Sequence, residues 1–118
     1  MHVAYIIVAA IFTVMLTMSA RMKLVRDPLA VEVINGAVGV PLGLFPVLAL
    51  LEIAGGAGLL VGIGLEWIGV AAGAGLVAYF IVAIASHLRR RDLAAGHLAP
   101  AVMMAVISSA VLALRLFA

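Results

Sequence analysis

A chain of 118 residues that is 68% hydrophobic and only 10% charged does not suit a water-soluble domain: a fold this small exposes too much surface to hide that much apolar side chain. Its net charge of +2 rests on seven Lys and Arg against five Asp and Glu, too few and too scattered for a nucleic-acid-binding face. With no cysteine, the chain has no disulfides, thiolate nucleophiles, iron–sulfur ligands or CxxC redox pair.

The amino terminus, Met1-His2-Val3, lacks a basic run ahead of its apolar stretch. A cleavable leader is therefore not expected, and the first hydrophobic segment reads as a retained helix. That segment, 3–20, is followed by 42–64, 67–86 and 98–117. Each is close to the ~20 residues that cross a hydrocarbon core of ~30 Å. Lipid offers backbone groups no partner, so the segments must be helices. The expected fold is all-α and integral to the membrane: one domain, 1–118, with four transmembrane helices in a bundle.

Between the first two spans, Asp27-Pro28 reads as an N-cap followed by proline at the first helical position. A short helix over 28–38 is expected, too short to span and so interfacial. Connections 21–41 and 87–97 fall on one side of a four-span chain. They hold Arg21, Lys23, Arg26, Arg89, Arg90 and Arg91, six of the seven basic residues. The positive-inside rule puts both connections in the cytoplasm and both termini outside, in a cell (inner or plasma) membrane. Trp67 and Phe117 then sit at the outer interface.

Ala54, Gly58 and Gly62 in the second span, and Gly69 and Gly73 in the third, form small-residue faces at helical spacing. Such faces let backbones approach in lipid, either within the bundle or between copies in a homo-oligomer. Pro46 predicts a kink or a late helix start, and Pro100 a first-turn proline. Thr13, Thr17 and Arg21 share a helix face expected to point inward. The methionines read as packing residues. No metal is expected, because His2, His87 and His97 are far apart in the chain.

Glu52 is the most informative residue. It lies about ten residues into the second span, ~15 Å deep at the helical rise. An acid near the midplane is costly unless paired, wetted or protonated. Depth matching offers three hydroxyls, Tyr79 and Thr13 at ~10 Å and Ser108 at ~15 Å. They are expected to form a polar layer around Glu52. No basic residue is expected at that depth: Lys23, Arg21 and His87 read as edge residues, and the acid is expected to have a raised pKa, chiefly from desolvation. His87 and the arginines after it read as a cytoplasmic-mouth site for an anionic group or as a lipid-phosphate stop signal.

Three stretches together resemble the DoxX-like family. They are Ala20-Arg21-Met22-Lys23-Leu24 with Arg26-Asp27-Pro28 and Gly39-Val40-Pro41; Leu51-Glu52-Ile53-Ala54-Gly55-Gly56; and Ala83 to Asp92, AIASHLRRRD. The resemblance spans nearly the whole chain, its specificity lying in the order and spacing of the motifs. It implies a small four-helix bacterial-type membrane protein whose relatives are linked to respiratory or redox systems, including the membrane subunit of a thiosulfate–quinone oxidoreductase and a complex that detoxifies radicals. It carries Lys23, Glu52 and His87 over as signature positions.

Three functions stay open on the sequence. The first is a binding or accessory subunit for a lipophilic small molecule, with quinone as the candidate cofactor and a redox subunit as partner. The second is a small membrane enzyme with Glu52 as acid or base and Tyr79 beside it as catalytic residues. The third is a small proton-coupled transporter using Glu52. The ligand-binding candidates common to these readings are Glu52, Thr13, Tyr79, Ser108, His87 and Lys23.

Overall fold

The computed structural model describes residues 2–28, 31–37, 39–89 and 95–117. Arg90, Arg91 and Asp92 lie outside the described residues, as does the side chain of His97. The fold is all-α, with four helices: α1 (His2–Leu24), α2 (Phe45–Val61), α3 (Glu66–Arg89) and α4 (Ala95–Leu116). All four, α2 with the 3-10 turn Leu42–Leu44 that leads into it, are long and apolar enough to cross a membrane. The chain is a multi-pass membrane protein.

Neighbours in sequence are neighbours in space. α1 packs on α2, α2 on α3 and α3 on α4, and α4 returns to α1 to close the ring. The ends of α1 and α3 and the starts of α2 and α4 share one end of the bundle, here called the near end. The molecule measures 40 × 25 × 18 Å.

The buried residues recur in steps of three and four. The stripe is Tyr5, Ala9, Phe12, Leu16, Ala20 and Lys23 on α1, and Phe45, Ala49, Glu52, Gly56 and Leu59 on α2. It continues as Gly69, Gly73, Leu76, Phe80 and His87 on α3, and Met104, Ser108, Val111 and Arg115 on α4. A mean step of about 3.6 residues is the α-helical period, so one face of each helix is turned to its neighbours along its length. The outer faces, with Ile7, Ile11, Val14, Leu50, Ile81 and Val106, are as apolar as the seam. Polarity is therefore inverted relative to a soluble bundle: Lys23, Glu52, His87, Ser108 and Arg115 are all inside.

α1 runs four residues past the expected 3–20 limit and stops at a Schellman turn. Asp27 N–H donates to the Met22 carbonyl (2.8 Å) and Arg26 N–H to the Lys23 carbonyl (3.3 Å). Arg26 is left-handed, with φ 51°, where glycine is usual. Beyond it the Asp27 carbonyl accepts from Val31 N–H, and Val31–Ala37 winds as a short π-helical segment. Gly39 (φ 85°) reverses the chain, and its neighbour Val40 donates to the Ile34 carbonyl. α2 starts late, with Pro46 in its first turn, so this proline sets the helix start and no kink is needed. Pro100 departs from expectation: α4 begins at Ala95, which places the proline inside the helix rather than in its first turn.

The tight hairpin between α2 and α3 depends on small residues. A Cβ on Gly62 would lie 2.3 Å from the Gly69 Cα, and one on Gly58 would lie 2.7 Å from the Ala72 Cβ. Gly73 serves a different seam, facing Leu112 of α4. At this far end, buried Arg115 donates from Nε to the Gly62 carbonyl (2.8 Å), and its guanidinium carbon lies 5.5 Å from the Tyr5 ring centroid. Tyr5 itself donates to the Leu59 carbonyl at 2.6 Å. Leu59 lies in the last turn of α2 and Gly62 is its C-cap, where carbonyls lack intrahelical partners. Arg115 and Tyr5 thus cap α2 from two other helices, with a cation at the negative helix end. Arg115→Met is expected to cost about 1–3 kcal/mol, the range for losing a charged buried hydrogen bond. Thermal unfolding in detergent measures this, and an unchanged Tm would remove the capping role.

Candidate functional site

The acid on α2 does not stand alone. Glu52, with no exposed surface, forms an ion pair through Oε1 with Nζ of Lys23, itself 8% exposed. This corrects the expectation that no cation reaches the depth of Glu52.

Helix geometry explains the reach. Every Cα–Cβ bond tilts toward its own helix's N-terminus. On α1 that tilt carries Lys23 inward from the near end. On antiparallel α2 it carries Glu52 outward toward the same end. Glu52 is seven residues into α2, about 10 Å of rise, and a lysine stem closes the remaining gap.

The pair is held from both sides. Lys23 Nζ also donates to Ser19 Oγ at 2.8 Å, one turn back on α1. Tyr79 Oη on α3 donates to Glu52 Oε1 at 3.1 Å. Three helices therefore converge on one carboxylate oxygen. The other oxygen, Oε2, is buried and has no hydrogen-bond partner among the described residues. Its lone pairs are the unused capacity of the site.

The two other hydroxyls of the expected polar layer lie elsewhere. Thr13 Oγ1 donates to the Ala9 carbonyl (2.7 Å) and, more weakly, to that of Gly56 (3.4 Å), one turn beyond Glu52. Ser108 is fully buried, but its Oγ donates within α4 to the Ala105 carbonyl at 2.9 Å. Each is spent on backbone. The inward face expected for Thr13, Thr17 and Arg21 is also corrected: Thr17 and Arg21 are exposed, and Thr17 back-bonds to the Thr13 carbonyl (2.8 Å).

Beside the ion pair lies a cavity of about 750 Å³, at the near end and along the α2–α3 seam. Its polar end holds Lys23, Ser19, Tyr79, Ser86 and His87. Its walls are apolar and include Leu48, Leu51, Leu76, Val82 and Met104, with Ile34 and Val40 of the α1–α2 connection also in the lining. Glu52 is not in the wall, whereas Lys23 and Tyr79, which both bond its carboxylate, are. Leu51 and Val82 line the cavity and are more than half exposed, so it is open at the surface of the bundle rather than enclosed.

A family model described as the DoxX-like family matches residues 7–111. The chain belongs to the DoxX-like family. No curated protein and no solved structure matches it significantly. In this DoxX-like chain the three residues on which the resemblance drew gather at one place: Lys23 and Glu52 bond directly, and His87, buried at 6% exposure, shares the cavity lining with Lys23. Sequence reasoning missed the pairing itself. The signal that could have found it is the four-three spacing of Leu16, Ala20 and Lys23, which continues the buried seam through the lysine.

Proposed function

We propose that this DoxX-like protein binds a lipophilic small molecule, quinone-like in having a carbonyl-bearing head on an apolar body, as a binding or accessory subunit of a redox-linked membrane system. The observation that carries the proposal is the cavity of about 750 Å³ with apolar walls and one polar end. Small-molecule sites commonly fall at about 300–1,000 Å³, mostly apolar with a few convergent polar groups. An opening at the surface of the bundle suits a molecule dissolved in the bilayer. Binding is preferred over acid–base catalysis by Glu52 because Glu52 is not in the cavity wall and its carboxylate is bonded by Lys23 and Tyr79, which are. Glu52 then acts as a positioning group. Under the positive-inside rule the near end, with Arg21, Lys23, Arg26 and Arg89, faces the cytoplasm and both termini lie outside.

Gly75 supplies a clean test. It lines the cavity, and a Cβ built on it meets nothing within 4 Å. Gly75→Phe is expected to fill the cavity while leaving the helix seams intact. A short-chain quinone should bind wild-type protein in nanodiscs and bind the variant at least about tenfold more weakly, about 1.4 kcal/mol, at unchanged Tm. Equal affinities would remove the cavity as the binding place, and no binding to either protein would remove the reading.

A further inference from the structure

Resting on that reading, we propose that the site selects an uncharged head group with a hydrogen-bond-accepting carbonyl and rejects anionic amphiphiles. A lysine ammonium carries three N–H donors and no acceptor. In Lys23 one is committed to Glu52 and one to Ser19. The third has no partner among the described residues, and Lys23 lines the cavity. The donor offered to a ligand thus belongs to a cation already neutralised by a carboxylate. Tyr79, also in the lining, donates its O–H to Glu52, which leaves its oxygen only acceptor capacity.

An incoming carboxylate, sulfonate or phosphate would meet a charge-balanced pair, with Glu52 directly behind the lysine. The carboxylate behind the lysine offsets most of the ammonium's attraction for an anion, so the anion's loss of hydration goes largely uncompensated. A ketone or quinone oxygen accepts the spare N–H without that cost. Among the described residues, the arginines at the near end, Arg21, Arg26 and Arg89, are exposed and do not line the cavity. His87 does line it, beside Lys23. The selectivity is therefore set by Glu52, a residue that need not touch the ligand.

The experiment compares two compounds with the same undecyl tail, 2-tridecanone and undecanesulfonate, on full-length protein in zwitterionic nanodiscs, corrected for partition into empty discs. Wild-type protein should bind the ketone at least about tenfold more tightly. Glu52→Gln leaves Lys23 without its counter-charge and should reverse the preference toward the sulfonate. The paired variant Lys23→Met/Glu52→Leu removes both charges, keeps the site apolar, and should bind the ketone roughly tenfold more weakly than wild type. The wild-type comparison and the paired variant carry the test should Glu52→Gln not fold. Equal or sulfonate-favouring binding by wild type, or undiminished ketone binding by the paired variant, would overturn the selection alone. Wild-type protein that takes up neither compound would overturn the binding reading beneath it as well.

Discussion

Glu52→Leu is expected to lower the unfolding free energy by about 3–5 kcal/mol, because it strands the Lys23 ammonium in the bundle interior with its carboxylate gone. Lys23→Met should cost a similar amount for the mirror reason, leaving Glu52 fully buried with only Tyr79 to donate to it. The informative measurement is the pair. Buried ion pairs replaced together by apolar residues of similar volume are often neutral or even stabilising, since desolvation of both charges is then avoided. Lys23→Met/Glu52→Leu should therefore recover most of the loss, within about 1–2 kcal/mol of wild type. A double-mutant cycle by reversible unfolding in mixed micelles reads the coupling directly. Additive single effects would mean that the two residues do not share a buried bond.

The second large effect is expected at Gly62. A Cβ there meets backbone, the Gly69 Cα at 2.3 Å and the Gly69 nitrogen at 2.7 Å, with the capping Tyr5 hydroxyl at 2.9 Å. None of these is the end of a flexible chain that can swing aside. Gly62→Ala must push α2 and α3 apart and should cost about 2–3 kcal/mol, and Gly62→Leu more. The matched control is Gly75→Ala, which meets open space and should be neutral or slightly stabilising through the better helix propensity of alanine. Unfolding midpoints of the three variants test this. Equal midpoints for Gly62→Ala and Gly75→Ala would refute the close approach of the two backbones.

The membrane architecture was legible because hydropathy is a sum over twenty residues and tolerates local error. The four apolar runs became four helices, and the burial of Glu52 followed from its place in the second run. The partner of Glu52 was not legible. Hydropathy closed the first span at 20, since Arg21 and Lys23 are charged, yet the helix continues to Leu24 and only one of those two cations points inward. Depth counting supplied a height for each polar residue but no rotation about the helix axis. Thr13, Tyr79 and Ser108 had suitable heights, and only Tyr79 reaches the carboxylate. The seam spacing carries the rotational information that depth lacks. Placed on one continuous four-three stripe with Tyr5 and Phe12, Lys23 falls inside and Thr17 outside. The small-residue pattern behaved similarly: Gly58 and Gly62 do meet α3, whereas Gly73 sits a turn further along α3 and faces α4.

That Lys23 and Glu52 belong to consecutive helices also bears on biogenesis. Each helix leaves the insertion machinery carrying a charge that hydrocarbon tolerates poorly on its own. The penalty disappears only when the first hairpin closes and the opposite charges meet. Correct association of the first two helices thus relieves a strain that a misassembled chain retains. A nascent chain that fails to close keeps two unpartnered polar side chains in the bilayer, a cost that the finished protein does not carry.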